Sequence, residues 1–175
     1  MSAATSGPRI YVASLSDYNA GRLHGEWIDA DQGAEGIHAA VSAMLAKSKE
    51  PIAEEWAIHD YEGFSGISIH EWESFETVAE LAEAIEEHGS AFAAFYGYQD
   101  QADTVAECIE AFEDAYRGEW DSERDYAEQF TEDCGYEVPE WLRYHVDWDS
   151  FARDLFCGEL YSVDTDGGVF VFESM

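Results

Sequence analysis

The stretch FETVAELAEAIEEHG, residues 75–89, carries two opposing stripes that strongly constrain its fold. At 3.6 residues per turn, the apolar residues Val78, Leu81 and Ile85 lie on one side of a helix. A row of carboxylates lies on the other side. The pattern therefore predicts an amphipathic helix with one apolar and one acidic face. Ser74 is its predicted N-cap, and Gly89 is predicted to follow its last residue. The acidic positions are Glu76, Glu80, Glu83 and Glu87.

The acidic face lacks the Lys or Arg residues that usually stand three or four positions from Glu. Like charges at that spacing cost about 0.2–0.5 kcal/mol per pair, so ordinary exposed helices mix the two signs. Between Lys49 and Arg117 there are eighteen Asp and Glu residues and no Lys or Arg. A second helix, predicted over residues 102–116, repeats the acidic spacing. Its acidic positions are Asp103, Glu107, Glu110 and Asp114.

The whole chain shares this excess, with 39 acidic and 8 basic residues and a formal net charge of -31. Hydrophobic residues make up 46% and aromatics 15%, which indicates a folded protein, not a disordered acidic tail. Adaptation to salt and simple solubility are the plain explanations of such acidity. The aromatic content and the alignment of carboxylates on two helix faces argue against both. A surface of this charge repels DNA, so direct binding to nucleic acid is not expected.

The arrangement of patterns predicts an α+β fold with three small domains after a flexible leader, residues 1–7. The N-terminal α+β domain covers residues 8–63 and holds a small β-sheet and a helix. The central acidic domain, residues 64–116, is a helical bundle. The C-terminal α+β domain, residues 117–175, holds mixed helices and a β-hairpin. Strands are predicted at 9–14, 25–30 and 54–61, and helices at 35–48, 122–135, 140–144 and 150–156.

Catalytic and cofactor motifs are missing from the sequence. GxxxxGK[ST], GxGxxG and HExxH do not occur. GFSGI, residues 63–67, lacks the second glycine of a nucleophile elbow, and DTDGGV, residues 164–169, departs from a Ca²⁺ loop and is read as a hairpin turn. The six His residues show no ligand spacing. We therefore predict no enzyme activity, no catalytic residues, no cofactor and no metal.

Two further expectations concern the environment of the chain. The sequence shows no signal peptide and no apolar run long enough to span a bilayer, which predicts a cytoplasmic protein without membrane association. The cysteines are odd in number and widely spaced, which favours buried, reduced thiols over disulfides or a zinc site. They are Cys108, Cys134 and Cys157.

Particular segments resemble the ArdA family of antirestriction proteins. They are RIYVASLSDYNAGRLHGEWID (9–29), EEWAIHDYEGF (54–64), VAELAEAIEEHGSAFAAF (78–95) and YHVDWDSFARDLFCGELY (144–161). The segments keep their order and extend over nearly the whole chain after the leader. The last of them is similar to the antirestriction-motif region of that family. Departures lie mainly in the leader and in local choices such as SGISIHEW, residues 65–72.

The resemblance implies an elongated three-domain homodimer that mimics the shape and charge of bent duplex DNA. Such a protein binds the methyltransferase core of type I restriction-modification enzymes, keeps DNA out of its groove and protects incoming mobile elements. An acidic adaptor or chaperone that sequesters a basic DNA-binding protein remains the alternative.

The resemblance also assigns an antirestriction motif, which the family associates with dimer contacts more than with chemistry. A capped amphipathic helix accounts equally well for the apolar residues of this motif. The residues carried over are Tyr144, Val146, Asp147, Trp148, Asp149, Phe151, Ala152, Arg153, Asp154 and Leu155.

Overall fold

A computed structural model describes residues 7–98 and 104–174 of the chain. These residues form seven helices and two three-stranded sheets, so the predicted α+β class is confirmed. The chain divides into two compact units, Met1–Ile109 and Glu110–Met175. The finer division into three domains stays a prediction. None of the helices within the described ranges combines the length and apolar character needed to cross a bilayer.

The first unit contains an antiparallel sheet in which β1 lies between β2 and β3. The strands and the long helix after β2 were all predicted, whereas the five-residue helix α1, capped by Ser14, was not. The elements are β1 (Arg9–Ser14), α1 (Leu15–Asn19), β2 (Gly25–Asp29), α2 (Gly33–Leu45), β3 (Trp56–Glu62) and α3 (Phe75–Tyr96), with a 3₁₀ turn at Ala30–Gln32 before α2.

Helix α3 packs against α2 through its apolar face. Val78, Leu81 and Ile85 are all buried, which confirms the predicted apolar stripe. Phe75, at the start of α3, stacks on Trp56 of β3 with ring centroids 4.1 Å apart. The helix is thus anchored to both the sheet and α2.

The predicted end of this helix at Gly89 corresponds to a real break. Gly89 adopts φ 67° and ψ -155°, a conformation that residues with a Cβ rarely adopt, and a second helical segment continues from there to Tyr96. The predicted N-cap is also confirmed, since the Ser74 hydroxyl accepts a hydrogen bond from the Thr77 amide at 3.0 Å.

Among the described residues of this unit, Asp17 is the acidic side chain that is buried. Asp17 of α1 accepts a hydrogen bond from the Ser48 hydroxyl, and Arg22 Nε lies 3.5 Å from its Oδ1. The Ser48 hydrogen bond outweighs the opposing effect of burial and lowers the pKa of Asp17. Asp17 therefore ties α1 to the segment after α2 and does not belong to the exposed acidic surface.

The second unit begins within α4 (Val105–Ala115) and contains an antiparallel sheet in the order β4-β6-β5. The predicted hairpin is confirmed as β5 and β6, but it belongs to a larger sheet because β4 pairs with β6. The elements after α4 are β4 (Tyr116–Trp120), α5 (Glu123–Asp133), α6 (Glu140–Arg143), α7 (Trp148–Phe156), β5 (Leu160–Asp164) and β6 (Val169–Glu173).

The expectation of three buried thiols is wrong for two of them. Cys108 is buried on the inner side of α4, but Cys134 and Cys157 are exposed. The last two are the C-cap residues of α5 and α7, where a helix ends at the surface. All three are free of disulfides.

Candidate acidic interaction surface

The carboxylates predicted on α3 all lie on its solvent-exposed side. Glu76, Glu80, Glu83 and Glu87 are exposed, opposite the buried apolar stripe. Their mutual repulsion costs about 0.2–0.5 kcal/mol per neighbouring pair, whereas burying one Val, Leu or Ile side chain contributes about 1.5–3 kcal/mol. The apolar contacts of α3 therefore hold the helix together in spite of its charge.

A groove beside α3 gathers further carboxylates and has a volume of about 440 Å³. Asp31 enters it from the 3₁₀ turn before α2, and Glu86 enters it from α3 itself. Small residues leave the groove open between them. We call it the acidic groove; it is lined by Asp31, Gly33, Ala34, Glu76, Ala79, Glu80, Glu83 and Glu86.

Two of the acidic residues that line this groove, Asp31 and Glu86, were not singled out from the sequence. Glu86 stands three positions after Glu83, a spacing that places both on one helix face, so its signal was present. Asp31 is remote along the chain and reaches the groove only because the 3₁₀ turn and α2 contact α3. Glu87 is exposed but does not line the groove.

Histidines are the basic side chains nearest to this face. His38 Nε2 of α2 lies 3.6 Å from Glu76 Oε1, and His88 Nε2 lies 4.0 Å from Glu87 Oε2. Within residues 7–98 and 104–174, the carboxylates of Glu80, Glu83 and Glu86 take part in no ion pair. The prediction that Lys and Arg are missing from this face is confirmed for the described residues, since only histidines approach its carboxylates within 4.0 Å.

Helix α4 carries the second predicted acidic row. Glu107, Glu110 and Asp114 are exposed, while Val105 and Phe112 are buried on the other side. The fourth position, Asp103, lies outside the described residues. The helix starts after Thr104, whose hydroxyl accepts a hydrogen bond from the amide of Glu107 at 3.2 Å.

The residues that the resemblance assigns to an antirestriction motif form helix α7 and the turn before it. Asp147 caps the helix by accepting a hydrogen bond from the Ser150 amide at 3.0 Å. Trp148 and Ala152 are buried in the chain's own second unit, whereas Tyr144 is 89% exposed. Of the remaining motif residues, Val146, Phe151 and Leu155 are half-buried and Asp149, Arg153 and Asp154 are exposed.

Exposed apolar side chains precede α7 and were not predicted from the sequence as a surface feature. Trp141, which is 74% exposed, and Leu142 lie in the short helix α6. Tyr144 follows at the C-cap of that helix. Helix α6 has no buried residue, and its one aromatic side chain, Trp141, faces solvent. We call residues 136–144 the aromatic segment; its exposed apolar side chains are Tyr136, Trp141, Leu142 and Tyr144.

Helix faces rich in carboxylates and an exposed aromatic segment define an acidic α+β protein suited to binding other proteins. No group of three or more His, Cys, Asp or Glu in the described part of the chain is arranged to hold a metal ion. The family model described as Antirestriction protein (ArdA) matches residues 10–171. The chain therefore belongs to the ArdA family of antirestriction proteins. A search of curated proteins gave no match.

Membership in this family fixes the coarse function. The protein is an antirestriction protein, and the family consists of inhibitors that act on restriction enzymes and are not known enzymes.

Proposed function

We propose that this protein is a non-catalytic mimic of duplex DNA that occupies the DNA-binding groove of type I restriction-modification enzymes, at their methyltransferase core. The observation that carries the proposal is the exposed carboxylate row of α3, from Glu76 to Glu87, together with the acidic groove beside it. A basic groove built for phosphates attracts such a surface. Its site of action is the cytoplasm, where these enzymes meet incoming mobile DNA.

The spacing of the row supports this role. Successive offsets of four, three and four residues place the α3 carboxylates about 4.5–6 Å apart along the helix axis. Phosphates along one DNA strand rise by about 3.4 Å. The carboxylate row is thus somewhat sparser than a phosphate backbone but similar in scale. The net charge of -31 adds a long-range attraction toward any basic groove.

We further propose that the protein acts as a homodimer held by the aromatic segment. Trp148 is buried within its own chain, so it is poorly placed to contact a second copy. Trp141 and Tyr144 are the most exposed apolar side chains of the region and remain available. In this proposal the aromatic segment contacts the second copy, and α7 packs within its own chain next to that segment.

Competition between this protein and DNA tests the proposed function. Labelled duplex DNA bound to a purified type I enzyme is titrated with the protein, and the fraction of bound DNA is measured at several salt concentrations. We expect DNA to be displaced, and we expect the affinity of the protein for the enzyme to fall as salt rises, because screening shortens the reach of surface charges. Unchanged DNA affinity at saturating protein, across several type I enzymes, contradicts the proposal. Recovery of only a histone-like basic protein in a pull-down favours the adaptor alternative.

A further inference from the structure

A second recess on the first unit shares no residue with the acidic groove. It has a volume of about 450 Å³, within the range of binding pockets, and a floor made by the buried side chains of Ile58 and Ile69. Exposed polar and aromatic side chains surround that floor. We call it the tyrosine recess; its other lining residues are Tyr18, His59, Tyr61 and Glu71.

A β-bulge shapes the wall of the tyrosine recess. Tyr11 of β1 lies opposite Asp60 of β3. The next residue, Val12, lies opposite Ile58, so His59 is the extra residue of the bulge. A bulge interrupts the alternation of a strand and changes the direction of its side chains. His59 and the three residues after it on β3 are all exposed, so the outer half of this strand presents its side chains to solvent.

The rim combines aromatic rings with a carboxylate. The rings of Tyr18 and His59 meet edge to face with centroids 5.1 Å apart. The backbone carbonyl of Glu71 accepts a hydrogen bond from the Ile58 amide at 2.9 Å, which holds the Glu71 segment beside β3. In the described ranges, no hydrogen bond or ion pair joins the side chains of Tyr18, His59, Tyr61 or Glu71 to another residue.

We propose that the tyrosine recess receives an arginine side chain of a partner protein. The apolar floor suits the methylene stem of arginine, the aromatic rings suit stacking by its planar guanidinium, and Glu71 supplies the opposite charge. The same unit already contains such an arrangement. Arg9 Cζ lies 4.8 Å from the ring centroid of Trp27, while the Arg9 Nε donates a hydrogen bond to the Glu62 carboxylate.

This inference rests on the proposed function for the identity of the partner. A groove that binds DNA presents arginines, because arginine is the side chain best suited to phosphate recognition. The tyrosine recess then adds one defined contact, with a shape requirement, to the diffuse attraction of the acidic helices. Such a contact favours one orientation of the protein in the groove, which charge alone does not.

The experiment titrates the full chain with N-acetyl-arginine amide and follows the aromatic and backbone NMR signals at constant ionic strength. We expect saturable shifts of the Tyr18, His59 and Tyr61 signals, and much smaller shifts with the neutral probe N-acetyl-glutamine amide. Tyr18→Leu and Glu71→Gln should each weaken arginine binding about threefold to fivefold, the size expected of an exposed cation–π or ion-pair contact. Glu54→Gln, which removes an exposed carboxylate outside the recess, is the matched control and should leave binding unchanged.

Equal binding of both probes, or equal effects of Glu71→Gln and Glu54→Gln, overturns the inference. Circular dichroism verifies the fold of each variant. If Tyr18→Leu proves unstable, Glu71→Gln alone tests the inference, because it changes only one exposed side chain. The probe experiment contains no restriction enzyme, so its failure is separate from failure of the DNA competition. Arginine binding without DNA displacement contradicts the proposed function, whereas displacement without arginine binding contradicts the inference alone.

Discussion

The indole Nε1 of Trp148 donates a hydrogen bond to the carbonyl oxygen of Arg143 over 3.2 Å. Trp148 also meets Phe151 edge to face with ring centroids 6.2 Å apart. Trp148 therefore joins the start of α7 to the end of α6. Its role is therefore within one chain, although the family resemblance places it in a motif associated with dimer contacts.

Trp148→Ala should destabilise the second unit by about 3–5 kcal/mol, because a buried aromatic ring is lost and a cavity remains. Urea unfolding followed by circular dichroism measures the change. Trp141→Ala, at a position that is 74% exposed, is the matched control and should change stability by less than about 0.5 kcal/mol. Equal effects of the two substitutions contradict the burial of Trp148.

Replacing Trp141 and Tyr144 by Ser should give a folded monomer, since these exposed side chains form the proposed dimer contact. Light scattering at several protein concentrations gives the mass, and circular dichroism verifies the fold. Tyr98→Ser, which removes an exposed aromatic of the first unit, is the control and should remain dimeric. If the double variant keeps the wild-type mass, the interface lies elsewhere.

Single Glu→Gln substitutions at positions 76, 80, 83 and 87 should each weaken inhibition by less than about fivefold, because an exposed charge contact is worth about 0.2–1 kcal/mol. All four together should weaken it about tenfold or more. The charge-matched control carries Gln at Glu54, Glu55, Glu137 and Glu159, which are exposed and lie on neither acidic helix. Competition with labelled DNA compares the two. Complete loss of inhibition from one substitution would mean a specific contact instead of distributed mimicry.

The same fourfold Gln variant should be more stable than the wild type by about 1 kcal/mol, since it removes four like-charge pairs at spacings of three or four residues, the pair of Glu83 with Glu86 included. Thermal and urea unfolding at low salt measure this difference, and added salt should reduce it. A fall in stability together with the fall in inhibition would show that the carboxylates support the fold. A rise in stability together with a fall in inhibition would show that the carboxylates of α3 serve inhibition and that its apolar face serves the fold.

Thiol reactivity should distinguish Cys108 from the two exposed cysteines. Burial raises the pKa of the Cys108 thiol to about 11, so at pH 8 only about 0.1% of it is thiolate, the form that reacts. Dithionitrobenzoate should therefore label Cys134 and Cys157 rapidly in the folded protein, and Cys108 only after unfolding. Because the pKa is raised, this protection should persist as the pH increases toward 11. In the Cys108→Ser control, denaturant should expose no additional thiol.

Helix α3 shows how much local sequence determined. Its apolar stripe, its N-cap at Ser74 and its break at Gly89 all depend on residues within a few turns of one another, and the structure has each of them. Its exposed carboxylates follow from the same periodicity. The resemblance of quoted segments to the ArdA family was likewise readable from the chain and is confirmed by the family match.

Other features depended on partners far along the chain. The segment YRGEW, residues 116–120, has little strand character of its own and becomes β4 because β6 pairs with it. Asp31 enters the acidic groove only through the contact of its turn with α3. The bulge at His59 arises from the pairing of β3 with β1, so it cannot be read from the sequence of β3 alone.

The sequence by itself thus determined the longer helices, the charged faces of α3 and α4 and the family, because helical periodicity, capping and like-charge rows are local properties. Tertiary structure alone decided which members of the antirestriction motif are buried and which are exposed. Trp148 and Tyr144 are both large aromatics four residues apart, yet one is 4% exposed and the other 89%. Burial is set by what other elements place against a side chain, and periodicity within one short helix does not contain that information.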